Sequence, residues 1–242
     1  MVVKLFILGR PGSGKSSAAR HIIKLARRYN RRAIRVNDYD ILREMCKADQ
    51  ERKLFNPIEG QPGFDVKDFS VLDAALKKAE VKARKAKHDA DIVVIEFARD
   101  NYIEALRNFR SSFLKDAYFI FINTEVDICI QRIHNRVAFS TTPDDYFVSD
   151  AILSHYYKKQ VIPKQLQEQF ESEFAVIERK VWFINNRGTR HQFDMEINRI
   201  FYSILNTERN KSRLTTVQNF ATMVYKPVKK VLDLVYMSTA KA

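Results

Sequence analysis

Residues 9–16 read GRPGSGKS and follow directly on the apolar run Val2 to Leu8. They fill every fixed position of G-x-x-x-x-G-K-[ST], the loop that cradles phosphates between a strand and a helix. Few short patterns restrict a fold so far, because this one demands a strand, a tight glycine turn and a helix in that order. Gly9, Gly12 and Gly14 let the backbone curl so that its amides point inward at an anion. The helix expected to begin near Lys15 adds its unsatisfied amino-terminal donors and the positive end of its dipole. Within this pattern Lys15 neutralises the β- and γ-phosphates and the Ser16 hydroxyl holds Mg2+. Ser13 belongs to the same loop, and Ser17 is a candidate for an α-phosphate contact. A glycine-rich turn with no ligand would require neither Lys15 nor Ser16.

The rest of the chain reads as alternating strands and helices. Ala18, Ala19, Ile22, Ile23, Ala26 and Tyr29 recur at helical spacing up to Asn30. Arg32 to Val36 reads as a second strand and runs into NDYD, which puts Asp38 and Asp40 at a strand-to-helix passage. Ligands of open α/β sheets bind at that carboxyl edge. One carboxylate there can take a proton from a substrate hydroxyl, and the other can hold Mg2+ or position the substrate. Either could instead cap the helix that carries Ile41, Leu42 and Met45, and spacing does not choose between them.

Leu54 to Asp68 contains Pro57, Gly60, Pro62 and Gly63 and reads as a loop, with Phe55, Phe64 and Asp65 as candidate pocket residues. A helix is expected from Phe69 to Lys87. Asp91 to Phe97 is a buried strand ending in an acid, the form of a second phosphate-site motif, so Glu96 is a candidate for the Mg2+ shell. Arg99 is placed to reach a substrate anion through its planar fork, or to pair with Glu96 or Asp100. Ala117 to Ile122 is a fourth strand. The helix after it carries Cys129 on its apolar side, as a core residue. Arg132 and Arg136 share one of its faces. A polar stretch from Phe139 to Phe147 follows, and helix signals resume near Ser149. Two aligned arginines before such a segment suit a lid over residues 132–150 that supplies positive charge and excludes water. Val148 to Tyr157 and Pro163 to Glu173 read as helices, Lys180 to Ile184 as a fifth strand, and a last core helix carries Phe193, Ile197, Ile200, Phe201 and Leu205.

From Thr207 the character changes to a polar basic linker followed by an amphipathic segment, Phe220 to Val235, suited to core docking, self-association or an anionic membrane surface. The expected organisation is one domain over residues 1–206 and an appendage over 207–242. The chain has 242 residues and a formal charge of +13, which favours anionic partners. Arg27, Arg28, Arg31, Arg32 and Arg35 read most simply as a wet surface, and no nucleic-acid motif accompanies the charge, so nucleic acid is not the favoured partner. Two cysteines without metal-binding spacing suit a reducing compartment. No run approaches the roughly 20 apolar residues of a membrane span. A cytoplasmic location is expected.

The assembled pattern resembles the P-loop kinases of small molecules and nucleotides, the group that includes adenylate, nucleoside, shikimate and zeta-toxin-like kinases. GRPGSGKS looks like the G-x-P-G-S-G-K form of nucleotide kinases. NDYD is similar to the D-x-D of shikimate and zeta-toxin-like kinases, which implies roles for Asp38 and Asp40 with Mg2+, substrate or proton. CIQRIHNR is similar to their R-x-x-x-R lid entry, which implies Arg132 against the adenine and Arg136 at the phosphates. FINNRG looks like the loop bordering the base and implicates Asn185 and Arg187. The resemblance implies a three-layer α/β fold with a five-stranded parallel sheet in the order 2-3-1-4-5, helices on both faces, a helical lid, and Mg2+-ATP as phosphoryl donor to a small-molecule or nucleotide acceptor. Two alternatives are a kinase of nucleic-acid 5' ends, suggested by the charge, and a nucleotide-gated regulatory protein. No N-K-x-D guanine signature is present.

Overall fold

A computed structural model describes residues 2–139, 142, 144–157, 162–211 and 213. Its centre is a five-stranded parallel sheet formed by β1 (Val3–Gly9), β2 (Ala33–Asn37), β5 (Ile92–Phe97), β6 (Tyr118–Asn123) and β7 (Val181–Asn185). The order is β2-β5-β1-β6-β7, which is 2-3-1-4-5 when only the strands of this sheet are counted. A separate antiparallel hairpin, β3 (Phe55–Pro57) and β4 (Phe64–Val66), occupies the stretch read as a loop. Asp49 stabilises its entry by accepting from the amides of Lys53, Leu54 and Phe55. Breaker residues marked the turn between the two short strands, and the pairing itself left no periodic signal.

The sheet is buried on both sides, which is why its strands read as unbroken apolar runs. Phe6 and Leu8, Val93 and Ile95, Phe119 and Phe121 belong to a core shared with α3 (Ser70–Ala86), α4 (Tyr102–Leu106) and α8 (Pro163–Phe174). Alternate residues Leu5, Ile7, Val94 and Ile120 are buried as well, and α1 (Lys15–Arg28) packs on β1, β2 and β5. Small Ala18, Ala19 and Ala26 in α1 are fully buried, which allows that helix a close approach. It stops where Asn30 turns left-handed, at φ 52°. Further helices are α2 (Asp38–Ala48), α5 (Ser111–Leu114), α6 (Val126–Ala138) and α7 (Asp150–His155).

Parallel register aligns the carboxyl ends of neighbouring strands. Asn37 lies beside Glu96, Leu8 beside Phe97, Gly9 beside Ile122, and Asn123 beside Asn185. The candidate residues of four strands therefore meet at one edge.

The first unit of the chain spans Met1–Ile200 and ends in helix over residues 190–200. The second spans Phe201–Ala242, and its described residues, 201–211 and 213, are helical. Residues 207–211, expected to open a linker, are thus helical, and the Phe220 to Val235 segment lies outside the described residues. No helix among the described residues is long and apolar enough to cross a membrane.

Candidate active site

The loop joining β1 to α1 has the glycine geometry that its sequence requires. Gly12 has φ 77°, and a Cβ there would lie 2.6 Å from the carbonyl oxygen of Cys129. Gly14 has φ 109°, and its Cβ would lie 2.7 Å from Asn186 Nδ2. The same Asn186 Nδ2 donates to the Ser13 carbonyl at 2.7 Å, and Thr124 Oγ1 donates to it at 3.3 Å. Ser13 is fully buried, so it serves the loop through its backbone.

Lys15 lies at the head of α1 with its Nζ donating to the Arg10 carbonyl at 2.8 Å. Burial lowers its pKa to about 8; Glu96 and Asp38 oppose that shift and Arg136 adds to it. A buried ammonium without a full counter-charge suits an incoming anion. Ser16 Oγ donates to Glu96 Oε1 at 3.1 Å. Glu96 is 1% exposed, and its Oε2 has no partner. Burial raises its pKa, and Arg35 opposes that. An unfilled carboxylate oxygen beside a serine hydroxyl is a hard donor set of the kind Mg2+ takes together with substrate phosphates. Among the described residues no group of three or more His, Cys, Asp or Glu forms a site for a metal held by protein alone.

Arg35 departs from the sequence reading. It is not a wet-surface residue: its guanidinium is largely buried, pairs with Glu96, and donates to both carboxylate oxygens of Asp144 at 2.9 Å. Burial by itself would lower its pKa, but Glu96 and Asp144 outweigh burial and raise it. Arg20 of α1 also pairs with Asp144. The visible signal was a charged residue within the strand RAIRV, which a solvated run of arginines masked.

The two aspartates of NDYD separate. Asp38 is buried and bonded to Arg99 Nη1 at 2.6 Å, while Arg99 Nη2 donates to the Leu72 carbonyl at 2.8 Å. Burial raises the pKa of Asp38, opposed by Arg99 and then Lys15. Asp40, two residues further on, is half-exposed and pairs with Arg43 at 2.8 Å, so its carboxylate is not brought to the loop. Neither caps the helix: Asn37 does, accepting from the Tyr39 amide at 3.0 Å. Arg99 pairs with Asp38 and not with Glu96 or Asp100.

Arg132 and Arg136 both line the cleft over the loop, together with Gly14, Lys15, Ser16 and Asn186. Its volume of about 430 Å³ lies within the range of roughly 300–1,000 Å³ usual for small-molecule sites. Ser17 lines it as well. Arg132 donates to the Asn186 carbonyl at 3.0 Å. Arg136 donates to the Tyr146 carbonyl at 2.6 Å, with its guanidinium 4.6 Å from the Tyr146 ring. Asn185 is exposed; the inward residue is its neighbour Asn186. Arg187 pairs with Glu125 on the outside. Cys129 is buried, and burial pushes its thiol up to about 11, as befits a core residue.

A second, narrower cavity of about 90 Å³ opens beside Asp38 and Arg99, lined by Tyr39, Phe64, Asp65 and Tyr146. Tyr146 lines both cavities. Phe64 stacks on Tyr39 at 5.3 Å, and Tyr39 on Tyr146 at 3.4 Å. Phe55 is instead a core residue, edge-on to Phe64 at 5.2 Å. Tyr39, Tyr146 and Asn186 were not among the residues the sequence singled out. Their positions lie far apart along the chain and carry no fixed spacing.

No family model matches the chain, and no curated protein matches it. Solved structures similar to it include a gluconokinase from Sinorhizobium meliloti, 13% identical over 87% of this chain and 97% of that one, with a TM-score of 0.49. The Mycobacterium tuberculosis APS kinase in complex with AMPPNP and APS is 16% identical over 83% and 98%, with a TM-score of 0.49. The shikimate kinase from Acinetobacter baumannii in complex with shikimate is 13% identical over 86% and 95%, with a TM-score of 0.42.

Proposed function

We propose that the protein is an ATP-dependent phosphotransferase that moves the γ-phosphoryl group to a hydroxyl of a small molecule. The observation that carries this reading is the pair of cavities meeting at Tyr146, one floored by the phosphate loop and the other holding a buried carboxylate. A nucleotide switch needs the first cavity only. In this reading the loop amides and Lys15 hold the phosphates, with Ser17 nearest the α-phosphate and Arg132 beside the base. Arg136 faces the group in transit. Ser16 and Glu96 would hold Mg2+, which supplies charge neutralisation on the β- and γ-oxygens.

Asp38 orients the acceptor hydroxyl and takes its proton as the oxygen bonds to the γ-phosphorus. The bond from that phosphorus to the β,γ-bridging oxygen breaks, and ADP leaves with the electron pair. Its raised pKa brings Asp38 closer to what a general base near neutrality needs. Phe64 and Arg99 shape the acceptor side, Arg99 by fixing Asp38. Asp40 has no place in this site.

The test is phosphoryl transfer from radiolabelled Mg2+-ATP to a broad panel of small hydroxyl compounds by the full chain, with Lys15→Ala and Asp38→Asn beside it. Labelled product that disappears in both variants supports the reading. Nucleotide bound through Lys15 with no labelled product from any acceptor overturns it in favour of a binding or switch protein.

A further inference from the structure

The acceptor cavity says more about its ligand than that it carries a hydroxyl. Its walls are aromatic: Tyr39, Phe64, Phe69, Tyr146, Tyr156 and Tyr157 all face it. Its charged residues are two carboxylates, Asp38 and Asp65, and one guanidinium, Arg99. That guanidinium is committed. It is bonded to Asp38 and to the carbonyls of Ala98 and Leu72, and only its buried Nε lacks a partner. A carboxylate or phosphate on the acceptor would therefore enter a cavity of net negative charge, with no cation lining it among the described residues that is not already paired.

A ring fares differently. The faces of Phe64, Tyr39 and Tyr146 are nearly parallel, with interplanar angles of 3° and 8°. Tyr146 lies 3.4 Å from Tyr39, the separation at which a planar ligand would stack. The remaining space of about 90 Å³ is smaller than the roughly 150 Å³ cavity that holds a benzene. A ring ligand consequently takes the place that the Tyr146 side chain now fills on Tyr39. Tyr146 comes from the irregular segment between α6 and α7, whereas Tyr39 is fixed in the first turn of α2. Tyr39 would thus be the platform, and Tyr146 would have to move aside from it.

We infer that the acceptor is an uncharged alcohol carrying a planar ring, such as a nucleoside, stacked on Tyr39 in the place of Tyr146 with its hydroxyl toward Asp38. The inference rests on the kinase reading for the role of that hydroxyl, whereas the stacking does not depend on catalysis.

The experiment is calorimetric binding to the full chain, with and without Mg2+ and AMPPNP. Adenosine, uridine and 4-(hydroxymethyl)pyridine serve as neutral ring probes, uridine 5'-monophosphate and galacturonate as anionic ones. At least one neutral ring compound should bind, and the anions at least about tenfold more weakly. Tyr39→Leu should weaken ring binding about tenfold, the scale of one lost stacking contact. Tyr39→Phe should restore it, which separates stacking from a folding defect. Absence of binding by every ring probe, tighter binding of the anions, or indifference to Tyr39→Leu each overturns the inference. Failure of phosphoryl transfer while ring binding persists would overturn the kinase reading and leave the ring site standing.

Discussion

The two cavities on either side of Tyr146 are built from different materials. The larger one has a backbone floor, the glycine loop and the head of α1, with charged side chains such as Arg132 and Arg136 over it. The smaller is made by side chains, from α2, β4, α3, the end of β5 and the α6–α7 segment. A backbone site recognises what all nucleoside triphosphates share, because amides carry no identity of their own. A side-chain site can be rewritten one residue at a time.

The largest expected effect falls on the donor side. Lys15→Ala should lower phosphoryl transfer by about 10³-fold, the scale of removing one preorganised charge from developing negative charge. Loss of less than tenfold, measured in a single-turnover assay, would mean that the first cavity does not hold the reacting phosphates.

The next effect separates chemistry from fold on the acceptor side. Asp38→Asn leaves Arg99 buried without its counter-charge, so denaturant unfolding should show a loss of about 3–5 kcal/mol. Adding Arg99→Met should recover most of that stability and none of the transfer. Recovery of both would demote Asp38 to a structural ion pair.

Backbone construction itself can be broken by a methyl group. Gly12→Ala forces a left-handed residue against the Cys129 carbonyl, and should cost about 1–3 kcal/mol and weaken nucleotide binding with acceptor binding intact. Equal damage to both ligands would erase the contrast between the cavities.

The smallest effect is a pH slope. Lys15 titrates near 8 in the free protein and is charged below that. A phosphate contact raises its pKa, so nucleotide binding takes up a growing fraction of a proton as the pH rises through about 8. Affinity should be level from pH 6 to 7.5 and fall by up to about tenfold per unit above 8, with proton uptake seen by calorimetry in buffers of different ionisation enthalpy. Acceptor affinity should not share this slope.

The same contrast decides what could be read from the sequence. The loop, the five strands and the meeting of Lys15, Ser16 and Glu96 were legible because fixed spacing and unbroken apolar runs are local signals, whereas the order of the strands followed only from the resemblance to P-loop kinases. Asp38 was legible as one of a pair, and only burial with Arg99 distinguishes it from Asp40, since their two positions sit on different faces of α2. Asn186 was missed in favour of Asn185 because the strand end sets which of two adjacent asparagines turns inward. Arg35 was missed because a salt-bridged guanidinium in a buried network looks, in sequence, like its exposed neighbours. Of the aromatic stack only Phe64 could be read, since the stacking of Tyr39 on Tyr146 unites residues about a hundred positions apart.

One small contact bears on the order of events during turnover. Gly63, in the hairpin turn, forms a parallel bridge with Phe147, and the Phe147 amide donates to the Pro62 carbonyl at 2.7 Å. The hairpin that carries Phe64 and the segment that carries Tyr146 are therefore fastened to each other next to the acceptor cavity. Separating them breaks backbone hydrogen bonds, whereas moving them together does not. In the proposed kinase reading, an acceptor would enter and leave by a joint displacement of both walls, and a substitution in the hairpin turn would change how long a product stays without touching it.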